Sequence, residues 1–287
     1  MPYQHIEVTP IAGALGAEIG GIDLSRELDD ATFDEVRQAF HENLVIFFRD
    51  QTLTPAQHRA FARRFGELDI HPFAAGLDGF PEVMPVIKEA TDRAGNFGGT
   101  WHSDVTFYEK PALGSILYAL DVPPHGGDTM FANMYMAYDA LSDGMKLMLD
   151  GMTALHDASR VYGAANSRAT DRQEKGSQSM KIRTGVDAEK VVEHPVVRTH
   201  PATGRKGLFV NHNFTSGFKG WTEAESAPLL EYLYDHSVRP EFTCRFRWHP
   251  KSIAFWDNRC TQHFALNDYQ GHRREMHRVT VTGDRPV

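Results

Sequence analysis

Near its C-terminus the chain reads MHRVTVTGD from Met276 to Asp284, an alternating run rich in β-branched side chains. That two-residue period is the signature of a strand, and β-branched residues fit a pleated surface better than a helix. The strand reading also sets where the neighbouring arginines point. Arg274 and Arg278 are separated by an even number of residues, so a strand through both places their guanidinium groups on one face. On a solvated face this is ordinary. On an inward face two cations are costly unless they meet anions.

Similar short runs recur along the chain: LVIFF from Leu44, GSILYALDVP from Gly114, DTMFAN from Asp128, VVRT from Val196, KGLFVN from Lys206, FTCRFRW from Phe242 and SIAFWDN from Ser252. Helix signals are fewer. Asp29 or Asp30 can cap a helix to about Asn43, and Thr54-Pro55-Ala56-Gln57 is a capping box with proline in the first turn, closed by Gly66. Thr222 with Glu225 opens another helix to about His236, and shorter helices are expected over Met134–Leu141 and Ser142–Asp150. Many short strands with helices set mostly outside them predict a mostly β fold with helical buttresses (α+β), a sandwich or barrel. No repeat or low-complexity linker marks a boundary, so residues 1–287 are expected to form one domain. The polar stretch around 166–190 fits neither period and reads as a mobile lid or a solvated insert.

Composition narrows the function classes. A chain of 287 residues with 41% hydrophobic and 24% charged content can bury a sizeable core without disulfides. The N-terminus lacks the basic and apolar regions of a signal peptide, and no apolar run approaches the roughly 20 residues a bilayer requires. A net charge of −8 argues against nucleic-acid binding yet leaves room for a locally cationic pocket. Cys244 and Cys260 have no metal-ligand spacing between them and read as structural thiols of a reducing, cytoplasmic compartment.

The segment WHSDVTF, from Trp101 to Phe107, sets His102 and Asp104 two residues apart in an apolar and aromatic setting. In a strand the pair would project together and could share one partner. Alone, H-x-D most often makes a hydrogen bond and binds nothing. The second cluster is WDNRCTQHFALNDYQGHRREMHR, from Trp256 to Arg278, with His263 following a buried-looking strand and Arg274 and Arg278 at 11 and 15 positions beyond it. His102, Asp104 and His263 then make a two-histidine, one-carboxylate set, the facial triad of non-haem Fe(II) oxygenases. Such a triad leaves positions open for a chelating keto acid and for O2. The far carboxylate of the keto acid needs a bidentate cation, which Arg274 can supply with a hydroxyl such as Thr129. Arg278 is left for the substrate.

WHSDVTF, the GGDT motif containing Thr129, FVNHNFT from Phe209, WDNRCTQH and RREMHR together resemble the taurine/2-oxoglutarate dioxygenase family, which includes dioxygenases of 2,4-dichlorophenoxyacetate and alkyl sulfates. The similarity runs from IAGALGAEIGGIDL to the last strand. It implies a double-stranded β-helix, or jelly roll. It implies Fe(II) on His102, Asp104 and His263, and 2-oxoglutarate on Thr129 and Arg274. The substrate anion would be held by His71 and Arg278, beside the apolar residues Val105 and Phe214. The family is commonly oligomeric, so a homodimer or homotetramer is expected. Members acting on taurine contact its amine with a tyrosine three residues after the His71 position and an asparagine four residues before the first iron ligand. This chain has Ala74 and Gly98 there, with Asn96 nearby. The implied activity is hydroxylation of a small organic anion, a sulfonate, sulfate ester or aryloxy carboxylate, with succinate and carbon dioxide as co-products and often cleavage to an aldehyde or ketone. Three alternatives stand beside it: a taurine dioxygenase proper, a zinc-type hydrolase on the same three ligands, and a non-catalytic jelly-roll binding protein. The last two leave Thr129 and the paired arginines without a task.

Overall fold

The computed structural model describes residues 3–164, 167–170 and 182–287. In chain order its strands are β1 (Glu7–Pro10), β2 (Ala17–Gly20), β3 (Val45–Phe48), β4 (Val83–Lys88), β5 (Ala112–Asp121), β6 (Thr129–Asn133), β7 (Thr153–His156), β8 (Val192–Pro195), β9 (Val197–Thr199), β10 (Lys206–Leu208), β11 (Thr215–Phe218), β12 (Thr243–Phe246), β13 (Ile253–Asp257), β14 (Thr261–Ala265) and β15 (Arg274–Thr282). Seven form one sheet in the order β1-β2-β3-β13-β5-β15-β4, antiparallel throughout except between β2 and β3. Against it lie the sheet β12-β6-β14 and two further small antiparallel sheets, β11-β7-β8 and β10-β9.

The two-residue period of each central strand assigns its side chains to two cores. Ile253 and Phe255 of β13, with Ile46 and Phe48 of β3 and Val279 and Val281 of β15, join one cluster. Ala254, Trp256, Val45, Phe47 and Met276 join the other. The first cluster is roofed by helices Asp30–Asn43 and Pro55–Arg63; Phe40 stacks on Phe255 with ring centroids 4.0 Å apart. The second lies between the sheets, where Phe47 stacks on Phe246 of β12 at the same separation. Burying one such ring contributes about 1.5–3 kcal/mol, so central strands covered on both faces anchor the fold. Arg274, Met276 and Arg278 therefore share the inter-sheet face, as the strand period requires. The result is the double-stranded β-helix with helical buttresses.

The helix boundaries follow their caps. Asp29 accepts from the Thr32 N–H at 2.8 Å. Thr54 with Gln57 and Thr222 with Glu225 form complete capping boxes, the latter opening helix Glu223–Ser237. Helices Met134–Asp139 and Asp143–Leu149 also form, with Gly151 at φ +75° just beyond.

One expectation is corrected and two strands were missed. WHSDVTF is no strand: His102 makes a single bridge to His263, and residues 104–107 turn, with Val105 at φ +46°. His263 follows the buried strand β13, as expected, and itself lies in a further strand, β14, that was not anticipated. β4 was not anticipated because Pro85 interrupts its pattern; as an edge strand β4 tolerates a missing N–H. Of the stretch 166–190 expected as a lid, residues 166 and 171–181 lie outside the described residues.

His58, buried in helix Pro55–Arg63 with its ring 6.1 Å from that of Tyr118, has its pKa pushed down to about 3 by burial and, secondarily, by His277. The unfolded chain takes up this proton near pH 6.5 and the folded chain does not until near pH 3, so stability falls as pH drops through that window. Urea denaturation of wild type and His58→Leu should show the wild type losing about 2 kcal/mol more than the variant between pH 8 and pH 5. Parallel pH profiles would assign the loss to other groups.

Candidate active site

β14 and the glycine-rich loop before His102 bring the first two imidazoles together. His102 N–H donates to the His263 carbonyl at 3.1 Å and His263 N–H to the His102 carbonyl at 2.8 Å. The loop approaches through Gly98, whose φ of +80° and whose position, with a Cβ only 3.4 Å from His102 Cε1, suit glycine. The rings of His102 and His263 lie 4.1 Å apart. The turn after His102 then swings Asp104 beneath them.

Asp104 is buried and its two oxygens have different surroundings. Oδ2 accepts from Ser115 Oγ at 2.7 Å and from Asn258 Nδ2 at 3.4 Å. Asn258 Oδ1 in turn accepts from the Asp104 backbone N–H at 3.0 Å and from Trp256 Nε1 at 3.0 Å. Oδ1 accepts from Arg278 Nη1 at 2.9 Å and stands 3.7 and 3.9 Å from His102 Nε2 and His263 Nε2. Burial raises the pKa of this carboxyl, but Arg278 and the two histidines outweigh it and hold the group ionised, well below the usual carboxylate range.

The imidazoles are held neutral by burial, which lowers both pKa values. His102 Nδ1 lies 2.7 Å from the Thr100 carbonyl, which can only accept; Nδ1 therefore carries the proton and Nε2 presents a lone pair. His263 Nδ1 is buried without a hydrogen-bond partner among the described residues, and its Nε2 faces the same point. The three ligand atoms lie within 4.8 Å of one another. Two imidazole lone pairs and one carboxylate oxygen, converging with no proton to share between the rings and the acid, fit an open-sided divalent transition metal such as Fe(II).

The turn that carries Asp104 is strained, since a β-branched residue at positive φ costs about 1–3 kcal/mol, and buried polar contacts fasten it. Thr106 Oγ1 lies 3.0 Å from His156 Nδ1 and accepts from Asn211 Nδ2 at 3.0 Å; His194 Nε2 lies 3.0 and 2.8 Å from the Thr106 and Tyr108 carbonyls. Neither histidine has a sequence spacing that signals this role. Ser115 and Trp248 were likewise not anticipated.

Two cavities flank the triad. The smaller, about 30 Å³, lies between the sheets and is lined by His102, His263, Thr129, Trp256, Arg274 and Arg278, among others. Thr129 Oγ1 accepts from Trp248 Nε1 at 3.0 Å, leaving its hydrogen to donate elsewhere. Arg274 is buried beside Trp248, and its Nε and Nη2 have no hydrogen-bond partner among the described residues. A carboxylate would satisfy both groups. The larger cavity, about 260 Å³, is lined by His71, Phe97, Asp104, Val105, Tyr162, Phe214 and Arg278 with other residues. His71 Nδ1 accepts from the Phe73 N–H at 3.2 Å, so Nε2 bears the proton and faces Tyr162 Oη at 3.4 Å. Burial pushes the His71 pKa down to about 3, with Arg278 adding to the effect.

All nine anticipated residues thus surround the two cavities. Arg278 adds a contact not foreseen: it is hydrogen-bonded to Asp104 as well as lining the larger cavity. Asn96 also lines the larger cavity, with its Nδ2 committed to the Ala265 and Leu266 carbonyls at 2.9 and 3.0 Å. A second cluster, His200, Asp257 and Cys260, is also close enough to share a metal. Its partners are already committed: His200 Nδ1 accepts from the Ala202 and Thr203 N–H groups, Nε2 bonds Asp257 at 3.0 Å, and Arg259 bonds both Asp257 oxygens. Cys244 and Cys260 are free and buried; burial pushes the Cys244 thiol up to about 12 and raises Cys260 further from ionisation.

Residues 7–280 match the family model described as Taurine catabolism dioxygenase TauD, TfdA family. The chain is 38% identical to an alpha-ketoglutarate-dependent sulfate ester dioxygenase of Pseudomonas putida, over 99% of this chain and 91% of that one. It is 35% identical to an alkylsulfatase of Acinetobacter baylyi, over 99% of this chain and 87% of that one. A crystal structure titled as a taurine dioxygenase from Burkholderia xenovorans superposes with a TM-score of 0.82 at 37% identity, covering 99% of this chain and 93% of that one.

Alanine at His102, Asp104 or His263 should abolish binding of one Fe(II) per chain while circular dichroism stays unchanged; a variant that keeps stoichiometric iron removes its residue from the ligand set. Ser115→Ala, which frees Asp104 Oδ2, should weaken metal affinity about 10–100-fold without abolishing it. Unaltered affinity by competition with a chelator would reduce Ser115 to a packing residue.

Proposed function

The chain belongs to the TauD/TfdA family of dioxygenases and is a 2-oxoglutarate-dependent oxygenase; on that premise we propose that it oxidises a small, amine-free organic anion, with a sulfate ester or alkyl sulfonate favoured and an aryloxy carboxylate next. The observation that carries this reading is the larger cavity's polar end. Arg278 and the protonated Nε2 of His71 stand ready for an anion beside the triad, while the positions that would meet an amine hold Ala74 and Gly98. An ammonium group brought there would lose its water without a hydroxyl or amide from either of those two positions to replace it, at a cost of several kcal/mol. Two of the three relatives quoted, by name a sulfate ester dioxygenase and an alkylsulfatase, support the same direction, and the third is a taurine dioxygenase.

His102, Asp104 and His263 would hold the Fe(II). Bound there with 2-oxoglutarate and O2, it supplies the oxidative decarboxylation to succinate and carbon dioxide and the hydroxylation of a substrate carbon. The chain's own residues do the rest. Arg274 and Thr129 grip the far carboxylate of 2-oxoglutarate in the small cavity, where exclusion of water strengthens a charge-assisted pair. Arg278 and His71 fix the substrate anion, and Phe214, Val105 and Phe97 pack its carbon chain, so the carbon next to the anion faces the triad. When that carbon bears sulfur or oxygen, its hydroxylated form gives up the hydroxyl proton and collapses to an aldehyde or ketone, releasing sulfite, sulfate or an alcohol.

We read residues 1–287 as one catalytic domain, as the span of the family match supports, with a lid around 166–190. The protein is proposed to be a homo-oligomer in a reducing, cytoplasmic setting, the latter supported by its two unpaired thiols. No described helix is long and apolar enough to cross a membrane.

Two measurements test this reading. Arg274→Ala should raise the Kd for 2-oxoglutarate at least tenfold with little change for the primary substrate, while Arg278→Ala should do the reverse, each group having lost a charge-assisted contact of about 1.5–3 kcal/mol. Equal effects of both variants on one ligand would break the division of labour. Substrate-dependent succinate formation should give a higher kcat/KM for amine-free sulfates and sulfonates than for taurine. Taurine ahead by about tenfold, roughly 1.4 kcal/mol of transition-state binding, would make the protein a taurine dioxygenase proper.

A further inference from the structure

The larger cavity carries a second cation besides Arg278. Arg168 lines the wall together with Val161, Ala169 and Asn213. It is half-buried, and its polar partners are all neutral: Nη1 donates to Asn213 Oδ1, and Nη2 lies 3.4 Å from His212 Nδ1. Among the described residues no carboxylate stands within ion-pair distance of it. The other charge at hand is of the same sign. Arg160 donates to the His212 and Thr215 carbonyls at 3.1 and 3.0 Å and, after burial itself, is what weakens the hold of Arg168 on its proton.

A guanidinium drawn partly out of water beside a like charge, with no counter-ion among the described residues, is destabilising in the empty protein. A like-charge pair adds nothing to stability; a ligand anion resolves it. The geometry also prepares a second donor. With Asn213 Oδ1 engaged by Arg168, the hydrogens left for a ligand are those on Nδ2, and Asn213 is itself a cavity-lining residue. A planar guanidinium beside an amide donor matches the two oxygens of a carboxylate. Val105, Val161, Phe97 and Phe214 line the same cavity, a wall suited to a short carbon chain.

We propose that Arg168 and Asn213 form a distal carboxylate subsite, so the preferred substrate is a dianion: a sulfonate or sulfate at the Arg278 end and a carboxylate at the far end of a short chain. This rests on the reading of the larger cavity as the substrate chamber. It assigns Arg168 the choice among substrates, whereas Arg278 holds the head group common to them.

The test compares pairs of equal shape that differ in the distal charge. Calorimetric titrations under nitrogen, with Fe(II) and 2-oxoglutarate bound, would use 3-sulfopropanoate against 3-methylbutane-1-sulfonate and 4-sulfobutanoate against 4-methylpentane-1-sulfonate. A phenoxyacetate pair, 4-carboxyphenoxyacetate against 4-isopropylphenoxyacetate, runs beside them. In at least one pair the carboxylated member should bind wild type at least tenfold more tightly than its alkyl partner. Arg168→Gln should erase that preference by weakening the carboxylated member alone, and Arg168→Lys should retain part of it. A wild-type preference for the alkyl partner in every pair would overturn the subsite, as would equal weakening of both members by Arg168→Gln or a preference that survives it. If the sulfonate head is wrong, the sulfonate pairs fail to bind while the phenoxyacetate pair still reports on Arg168. Binding of no pair would contradict the subsite and the chamber together.

Discussion

The buried carboxylate of Asp104 is the interaction on which the rest of the site depends. An ionised carboxylate taken out of water costs several kcal/mol unless its lone pairs are matched. Here Ser115 and Asn258 occupy one oxygen, and Arg278 with two imidazole nitrogens surrounds the other. Each of those partners comes from a different strand or turn: β5, the turn after β13, β15, the loop bridge and β14. The carboxylate can be satisfied only when the sheets are in register, so the fold and the metal-ligating geometry form together.

That arrangement also divides the interior. The triad stands where the two cavities meet, and β15 supplies one arginine deep to it and one beside it, four residues apart on a single face. The inter-sheet space would be a poor home for two guanidinium groups in an ordinary sandwich. In this one Arg278 is paired with Asp104, and Arg274 keeps buried donors aimed at a space shaped for a carboxylate. On the proposed reading, each of two anionic ligands would meet its own pre-placed cation there. The backbone strain at Val105 belongs to the same logic, since the turn it permits carries the ligand, and the contacts to Thr106 hold the turn closed.

Much of this was legible in the amino-acid order, for reasons that differ by residue. The even spacing of Arg274 and Arg278 survives because β15 is a regular strand, and a period-two argument is reliable there. The same argument reached the right pair for the wrong reason at His102 and Asp104: they converge through a bridge and a turn, and nothing in WHSDVTF announces a positive φ at Val105. β4 was hidden by Pro85, and β14 by its mixed composition, TQHFA. Ser115, His156 and His194 were not visible because each acts through a contact more than ten residues away, which no local pattern records. Arg168 lies in a polar stretch where a cation reads as solvated; only its place on the cavity wall, without a counter-ion among the described residues, distinguishes it.

The central claim is that the triad serves oxygen chemistry driven by 2-oxoglutarate and not hydrolysis. A metal hydrolase with the same three ligands would release sulfate from an alkyl sulfate with water alone. The direct measurement is a sealed-cell assay of one amine-free alkyl sulfate with Fe(II) and 2-oxoglutarate, run under air and under argon, following oxygen, succinate and sulfate together. The account predicts one succinate and one sulfate for each O2 consumed, after subtraction of turnover without substrate, and no sulfate under argon. Sulfate released under argon without succinate would contradict it.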